Sequence, residues 1–164
     1  MNHGEYKFSY EVYDSINDLD PKDAALLREA IEATKTAYAP YSNFRVGAAA
    51  RMANGSIVRA TNQENASYPV GMCAERSLLA TASSLFPNEP IDTMAVTYDN
   101  LNGKSTKPVS PCGMCRQALS EHESRVKQPI RLIMSGLEGP VHILDRAGML
   151  LPFSFSSDDM NLEL

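Results

Sequence analysis

The chain has little of what nucleic-acid-binding, membrane and secreted proteins need. Lysine and arginine number 15 against 20 aspartate and glutamate, which gives a formal net charge of −5 without a basic stripe, so binding to a phosphate backbone is disfavoured. No apolar run approaches the roughly 20 residues that cross a bilayer. Residues 1–14 contain neither a basic segment nor an apolar one of the kind that secretory signals carry. We therefore expect a cytoplasmic protein without a membrane or nucleic-acid partner.

Cysteine and histidine are also scarce, with three of each. Three thiols cannot all pair, and a C-x-x-C motif in a cytoplasmic protein indicates metal or redox chemistry before a disulfide framework. All three cysteines lie in two short motifs, C-A-E at 73–75 and P-C-G-M-C at 111–115. Three thiolates leave the fourth tetrahedral position of zinc open, as in catalytic zinc sites. The sequence therefore predicts Zn²⁺ bound by Cys73, Cys112 and Cys115.

Two other interpretations of the cysteines stay open at this point. One is a redox C-x-x-C pair with a separate buried thiol, and the other is a structural zinc with a fourth ligand elsewhere. The histidines, His3, His122 and His142, offer little support for the second, because they lie in no ligand-like spacing.

Glu75 follows the first cysteine by two residues and falls on the first turn of a predicted helix. Its carboxylate would then lie near the open metal position, where it can move protons during catalysis. The plainer alternative is an acidic residue that stabilises the helix dipole. Arg76 could donate hydrogen bonds to the ligand sulfurs and offset the net negative charge of zinc with three thiolates, or it could form an ordinary surface salt bridge.

Hydrophobic periodicity predicts an α/β domain over residues 21–164, preceded by a strand-like arm over residues 1–20 whose residues 6–13 alternate. Asp20 as N-cap and Pro21 at the first helical position begin the first helix. The predicted elements are helix 21–38, strands 44–52 and 56–64, helix 73–85, strand 91–98, helix 112–122, and strands 130–135 and 141–144. Alternation of strands and helices in the middle of the chain favours right-handed crossovers.

Both cysteine motifs fall at the N-termini of predicted helices. Backbone N–H groups and the positive end of the helix dipole lower a thiol's pKa and favour the thiolate, the form that binds metal. Pro111 is expected at the first position of its helix, where the missing N–H costs nothing.

Five motifs in order, spread over most of residues 37–159, resemble the small, homotetrameric, three-cysteine cytidine deaminases. They are Y-A-P-Y-S-N-F-R-V-G-A at 38–48, N-Q-E-N-A-S-Y-P at 62–69, G-M-C-A-E-R at 71–76, S-P-C-G-M-C-R-Q at 110–117 and L-P-F-S-F at 151–155. The C-x-E and P-C-x-x-C pair is typical of zinc deaminases, including their three-cysteine variant. The resemblance implies a three-layer α/β/α fold around a mixed sheet.

By this resemblance the protein hydrolyses cytidine and 2′-deoxycytidine, with Glu75 as the catalytic proton carrier. The resemblance also implies a homotetramer with active sites shared between subunits. The substrate-binding residues it implies are Asn62 and Glu64 on the ribose hydroxyls, Phe44 and Phe155 against the base, and the backbone of Ala74 at the polar edge of the pyrimidine.

Three rival functions remain. The first is the same chemistry on a related aminopyrimidine nucleoside such as blasticidin S, which the ribose-binding pair and Phe155 disfavour. The second is a polynucleotide deaminase, which the negative charge disfavours. The third is a non-catalytic zinc-stabilised interaction module, which has no use for Glu75 beside an open metal position.

Overall fold

The computed structural model describes residues 1–160. It contains six strands and three α-helices, joined by short loops and single turns of 3₁₀-helix. In chain order they are β1 (Glu11–Tyr13), α1 (Pro21–Thr34), β2 (Phe44–Met52), β3 (Ile57–Thr61), α2 (Ala74–Leu85), β4 (Ile91–Asn100), α3 (Gly113–Val126), β5 (Arg131–Ser135) and β6 (Val141–Leu144).

All six strands form one mixed sheet with the order β1-β6-β5-β4-β2-β3. Only β4 and β5 are parallel, and α3 forms the crossover that a parallel pair requires. The other neighbouring pairs are antiparallel, including the β2–β3 hairpin that turns at Asn54-Gly55. The predicted mixed α/β sheet is confirmed.

Helices cover both faces of this sheet and make the three predicted layers. The small residues of β2 alternate between the faces: Ala48 and Ala50 pack with α2 and α3, whereas Ala49 packs with α1. At Gly47 an added Cβ would lie 2.1 Å from the carbonyl oxygen of Ala30 in α1. Helix α1 therefore lies directly on the backbone of β2, and no larger residue fits there without moving it.

Several local expectations were wrong. The strand expected over 6–13 is limited to Glu11–Tyr13, which pairs with β6. Helix α1 begins as expected, with Asp20 accepting from the Lys22 N–H, but ends at Thr34 rather than near residue 38. It ends early because the Tyr38 N–H leaves the helical pattern and donates to the Asn62 carbonyl.

Pro111 is also one residue further from its helix than expected, because Cys112 itself is the N-cap of α3. Pro111 is buried ahead of the helix, so its role is to direct the chain into the cap. The division into an arm (1–20) and a domain (21–164) stays a prediction, although β1 of the arm belongs to the sheet. Within residues 1–160, no helix has both the length and the apolar character needed to cross a membrane.

Candidate functional site

The N-termini of α2 and α3 bring the three thiols together. Cys73 is the N-cap of α2, Cys112 is the N-cap of α3, and Cys115 lies in the first turn of α3. The Sγ atoms of Cys73 and Cys112 are 3.7 Å apart, and those of Cys112 and Cys115 are 3.3 Å apart. All three sulfurs lie within 4.8 Å of one another, although Cys73 and Cys112 are 39 residues apart in the sequence.

The thiols favour a bound cation on chemical grounds. Tetrahedral zinc with Zn–S bonds of about 2.3 Å separates its thiolates by about 3.8 Å, close to the observed spacings. A hydrogen bond from Cys115 lowers the pKa of Cys73 to about 6, while the same bond and burial raise the pKa of Cys115. The cluster thus forms one thiolate readily and resists forming three, unless a cation neutralises them. The three clustered sulfurs therefore fit Zn²⁺.

Glu75 lies on the first turn of α2 with only 5% of its surface exposed. Burial raises the pKa of its carboxyl group, and the nearby Cys73 adds to the effect. A buried carboxyl with a raised pKa is suited to accept and release a proton near neutral pH. Arg76, the next residue, contributes a positive charge that lowers the pKa of Cys73, and its Nη1 lies 4.0 Å from the sulfur of Met114.

A cavity of about 390 Å³ opens beside the thiols. Its lining includes Cys73, Cys112 and Glu75 together with Asn62 and Glu64. The remaining lining is largely apolar, with the side chains Val46, Met72, Val96, Val109 and Met114. The cavity therefore combines a metal-binding end, a proton carrier and two polar groups, in a volume typical of small-molecule sites.

Asn62 is anchored by its own amide group. Its Oδ1 accepts from the Val46 N–H at 2.7 Å, and its Nδ2 donates to the Phe44 carbonyl at 2.9 Å. A carboxamide has two N–H protons and two oxygen lone pairs. One N–H and one lone pair bind the backbone of β2. The other N–H and the other lone pair remain for a hydroxyl group in the cavity.

Glu64 is anchored in a similar way, although β3 ends at Thr61 rather than at residue 64. Its Oε2 accepts from the backbone N–H groups of Tyr41 at 2.9 Å and Ser42 at 3.3 Å. Slight burial raises its pKa, but these bonds and one with the Ser42 side chain outweigh burial and lower the pKa overall. Glu64 therefore stays ionised and is a strong acceptor for a sugar hydroxyl.

The other three residues expected at the substrate lie outside the cavity lining. Phe44 stacks on Tyr98, with ring centroids 4.6 Å apart and planes 15° apart. Ala74 is fully buried as the first residue of α2, where the backbone N–H has no partner within the helix. Phe155 is 60% exposed on the C-terminal segment. One chain thus brings together the metal, proton and sugar groups, but leaves Phe155 outside.

The sequence prediction missed Ser42 and Ser110. Ser42 holds Glu64 and also accepts from the Phe44 N–H at 3.0 Å. Ser42 lies two residues after Pro40 and directly before Asn43, a turn signal that could have identified it. Ser110 lines the cavity directly before the second cysteine motif, and nothing in its local sequence sets it apart.

Comparison with known proteins agrees with this geometry. The family model of the cytidine and deoxycytidylate deaminase zinc-binding region matches residues 20–129. The cytidine deaminase of Halalkalibacterium halodurans is 39% identical over 136 residues, which cover 83% of this chain and 96% of that protein. The blasticidin-S deaminase of Bacillus cereus is 31% identical over 107 residues, 64% of this chain and 76% of that protein.

The solved structures give the same result. The crystal structure of cytidine deaminase from Burkholderia pseudomallei matches with a TM-score of 0.69 and 38% identity, covering 80% of this chain and 97% of that one. This chain also carries the complete C-x-E and P-C-x-x-C pair. This chain belongs to the cytidine and deoxycytidylate deaminase family.

Proposed function

We propose that the protein is a zinc-dependent hydrolase that converts cytidine and 2′-deoxycytidine to uridine and 2′-deoxyuridine and releases ammonia. The observation that carries this proposal is one cavity whose lining contains Glu75, two of the three clustered thiols, Asn62 and Glu64. A nucleoside would place its base beside Glu75 and the thiols and its sugar beside Asn62 and Glu64.

Zinc held by Cys73, Cys112 and Cys115 would activate the water that attacks C4 of the base. Glu75 takes a proton from this water and transfers it to ring N3. After attack, Glu75 moves the second proton of the water to the amine at C4, so that one water enters and one ammonia leaves. The first N–H groups of α2, including that of Ala74, are available to the polar edge of the pyrimidine.

Asn62 and Glu64 bind the sugar in this proposal. Both side chains are held by hydrogen bonds to the backbone, so little side-chain freedom is lost when a hydroxyl binds. A site built around hydroxyl groups penalises a ligand that lacks them. The protein is therefore expected to use cytidine with a much higher kcat/KM than free cytosine.

The test of the nucleoside proposal is an ultraviolet assay with cytidine, cytosine and blasticidin S on zinc-loaded protein. Glu64→Ala should lower kcat/KM for cytidine and keep about one zinc per chain, because its contact is to the sugar. Equal kcat/KM for cytosine and cytidine would overturn the proposal. A kcat/KM higher for blasticidin S than for cytidine would favour the second candidate, which the Bacillus cereus relative supports.

We infer that the working unit is a homotetramer in which Phe155 of one subunit closes the base-binding end of another. Large apolar side chains are exposed around the cavity, with Tyr68 76% exposed and Met114 62% exposed. Phe155 is exposed on its own chain, as a residue that acts on a neighbour would be. Burial of such side chains between subunits favours a stable closed assembly.

Two inactive variants, Phe155→Ala and Glu75→Gln, test the shared site when they are refolded together. Mixed tetramers can combine Glu75 of one chain with Phe155 of another, so part of the activity should return. No recovery in confirmed mixed assemblies would contradict a shared site, and a monomer in light scattering at micromolar concentration would exclude the tetramer.

The cellular setting follows from the same chemistry. Three reduced thiols as ligands suit the cytoplasm, where thiols stay reduced. Conversion of cytidine to uridine there is a step of pyrimidine salvage, which we propose as the physiological role.

A further inference from the structure

Helix α3 holds the C-terminal segment 146–155 along one of its sides. Five hydrogen-bond contacts connect them. They join Glu123 Oε2 to Arg146 Nε, Glu123 Oε1 to the Gly148 N–H, Arg116 Nη1 to the Leu150 carbonyl, Ser120 Oγ to Ser154 Oγ, and Gln117 Nε2 to the Phe155 carbonyl. The first turn of the same helix carries Cys115, and its N-cap is Cys112. One helix thus positions both the metal-binding thiols and the segment that bears Phe155.

Arg116 contacts both the loop before Cys112 and the C-terminal segment. Its Nε donates to the Pro111 carbonyl at 2.8 Å, and its Nη2 to Ser110 Oγ at 3.2 Å. Its Nη1 donates to the Leu150 carbonyl at 3.1 Å. Ser110 and Pro111 directly precede Cys112, whereas Leu150 begins the path to Phe155. The guanidinium therefore connects the metal loop to the C-terminal segment.

The partners of Arg116 are unusual for an arginine. All three are neutral oxygens, and within residues 1–160 its guanidinium forms no ion pair. The planar fork of donors, rather than the charge alone, satisfies three acceptors in fixed directions. A lysine keeps the charge but lacks this fork, so it cannot hold the loop and the segment in the same geometry.

The segment needs external support to keep its path. Phe153 has a φ of 56°, in the left-handed region that a bulky side chain rarely adopts, and its side chain is fully exposed. Nothing in the local sequence favours this conformation. The contacts of α3 with Leu150 on one side and Phe155 on the other hold it in place.

We propose that Arg116 is a positioning residue that couples the Cys112 loop to the Phe155 segment, so that metal binding and placement of Phe155 stabilise each other. A metal that fixes Cys112 fixes the neighbouring Pro111 carbonyl, through which Arg116 holds Leu150. Such coupling is reciprocal: an ordered segment slows metal loss by the same free energy. The inference rests on the proposed function only in giving Phe155 a role at the base-binding end of a neighbouring subunit.

Hydrogen exchange of the full chain, with and without zinc, tests the coupling without any substrate. In the wild type, zinc removal should speed exchange of peptides over 148–156 about tenfold, a usual size for coupled sites. In Arg116→Lys these peptides should exchange fast with zinc bound, and zinc removal should change them less than twofold. Strand β5 serves as the internal reference and should change little.

Arg125→Lys is the matched control. Arg125 is on the same helix and bonds to Ser83 Oγ at 2.7 Å and His122 Nδ1 at 3.1 Å, away from both the loop and the segment. This variant should respond to zinc as the wild type does. If Arg116→Lys also responds as the wild type does, or if β5 responds as strongly as the segment, the coupling is wrong.

Zinc release gives the reciprocal measurement. With an excess of a colorimetric chelator, Arg116→Lys should release zinc about tenfold faster than the wild type, and Gln117→Ala should release it faster to a smaller degree. Should Arg116→Lys fail to fold, Ser110→Ala removes a single acceptor and should shift both measurements in the same direction. Unchanged release in all three variants would overturn the proposal. Loss of cytidine activity plays no part in these outcomes, so they are independent of the proposed reaction.

Discussion

The two faces of the sheet bury similar apolar cores but differ in their helix ends. On the first face, α1 lies flat on β2, and its charged group Asp23 is paired with Arg131 at 2.6 Å. On the second face, α2 and α3 direct their N-termini at the same cavity, with thiols at both caps. The difference shows that the chemical groups of the site lie at helix N-termini, whereas the side of α1 stabilises the sheet by packing on it.

Two buried carboxylates, Asp23 and Glu75, differ in the same way. On the α1 face, the buried Asp23 carboxylate is paired with arginine, so it is neutralised by its surroundings. On the α2–α3 face, Glu75 is buried without a cationic partner in a salt bridge among residues 1–160, and burial raises its pKa. A paired carboxylate stabilises a fold, whereas an unpaired one beside a cavity is prepared for proton transfer.

The largest expected effect is on the second face. Cys112→Ala should remove the metal and reduce deamination to background, because two thiolates no longer define a tetrahedral site. Metal analysis by mass spectrometry and the ultraviolet assay measure both results. Met114→Ala, on the same turn, is the control and should keep its zinc. A Cys112→Ala protein that kept about one zinc per chain would remove Cys112 from the ligand set.

A substitution on the first face should lower the stability of the fold and leave the metal bound. Gly47→Ala should lower the free energy of unfolding by about 3 kcal/mol, because its Cβ would meet the Ala30 carbonyl at 2.1 Å and the Thr34 nitrogen at 2.8 Å. The zinc content of the folded fraction should not change. Urea unfolding measures the loss.

Gly113→Ala, at the start of α3, is the matched control for this second prediction. An added Cβ there meets nothing within 4 Å, so the change in unfolding free energy should stay within about 0.5 kcal/mol. Equal losses in the two variants would mean that close contact with α1 is not what requires glycine at Gly47.

A smaller effect concerns His122, buried between α2 and α3. Burial and the Arg125 charge lower its pKa to about 4 from the ordinary 6.5. The unfolded chain then binds more protons between these values, so the stabilising effect of a neutral His122 is present above pH 6.5 and declines as pH falls towards 4.

His122→Gln should therefore flatten the pH dependence of stability. Between pH 4.5 and 6.5, the unfolding free energy of the wild type should rise more steeply than that of the variant, by about 1 kcal/mol per pH unit. Zinc-free protein is used for both, so that loss of metal at low pH does not contribute. Parallel curves would mean that His122 is protonated in the fold.

The sequence was sufficient for the parts of the molecule that depend on local patterns. The Asp20 cap, the β2–β3 hairpin and the two motif helices follow from short-range signals. The metal site was predictable because three cysteines in a C-x-E and P-C-x-x-C pair are typical of zinc deaminase sites, and the three sulfurs do meet.

Contacts across long stretches of chain were not predictable. Glu64 is held by backbone groups of Tyr41 and Ser42, 23 and 22 residues away, and Arg116 reaches Leu150 over 34 residues. Neither contact has a periodicity or motif that marks it. The limited extent of β1 has a similar cause, since a strand needs a partner, and the partner strand β6 has only four residues.

In the proposed mechanism Glu75 moves protons and the three cysteines alone bind the metal. The most direct test of these roles is Glu75→Gln, with zinc content and kcat on cytidine measured on the same sample. We expect about one zinc per chain, an unchanged fold, and a kcat lower by roughly 10²–10⁴-fold. A variant that lost its zinc would make Glu75 a ligand, and a variant that kept its kcat would contradict the mechanism.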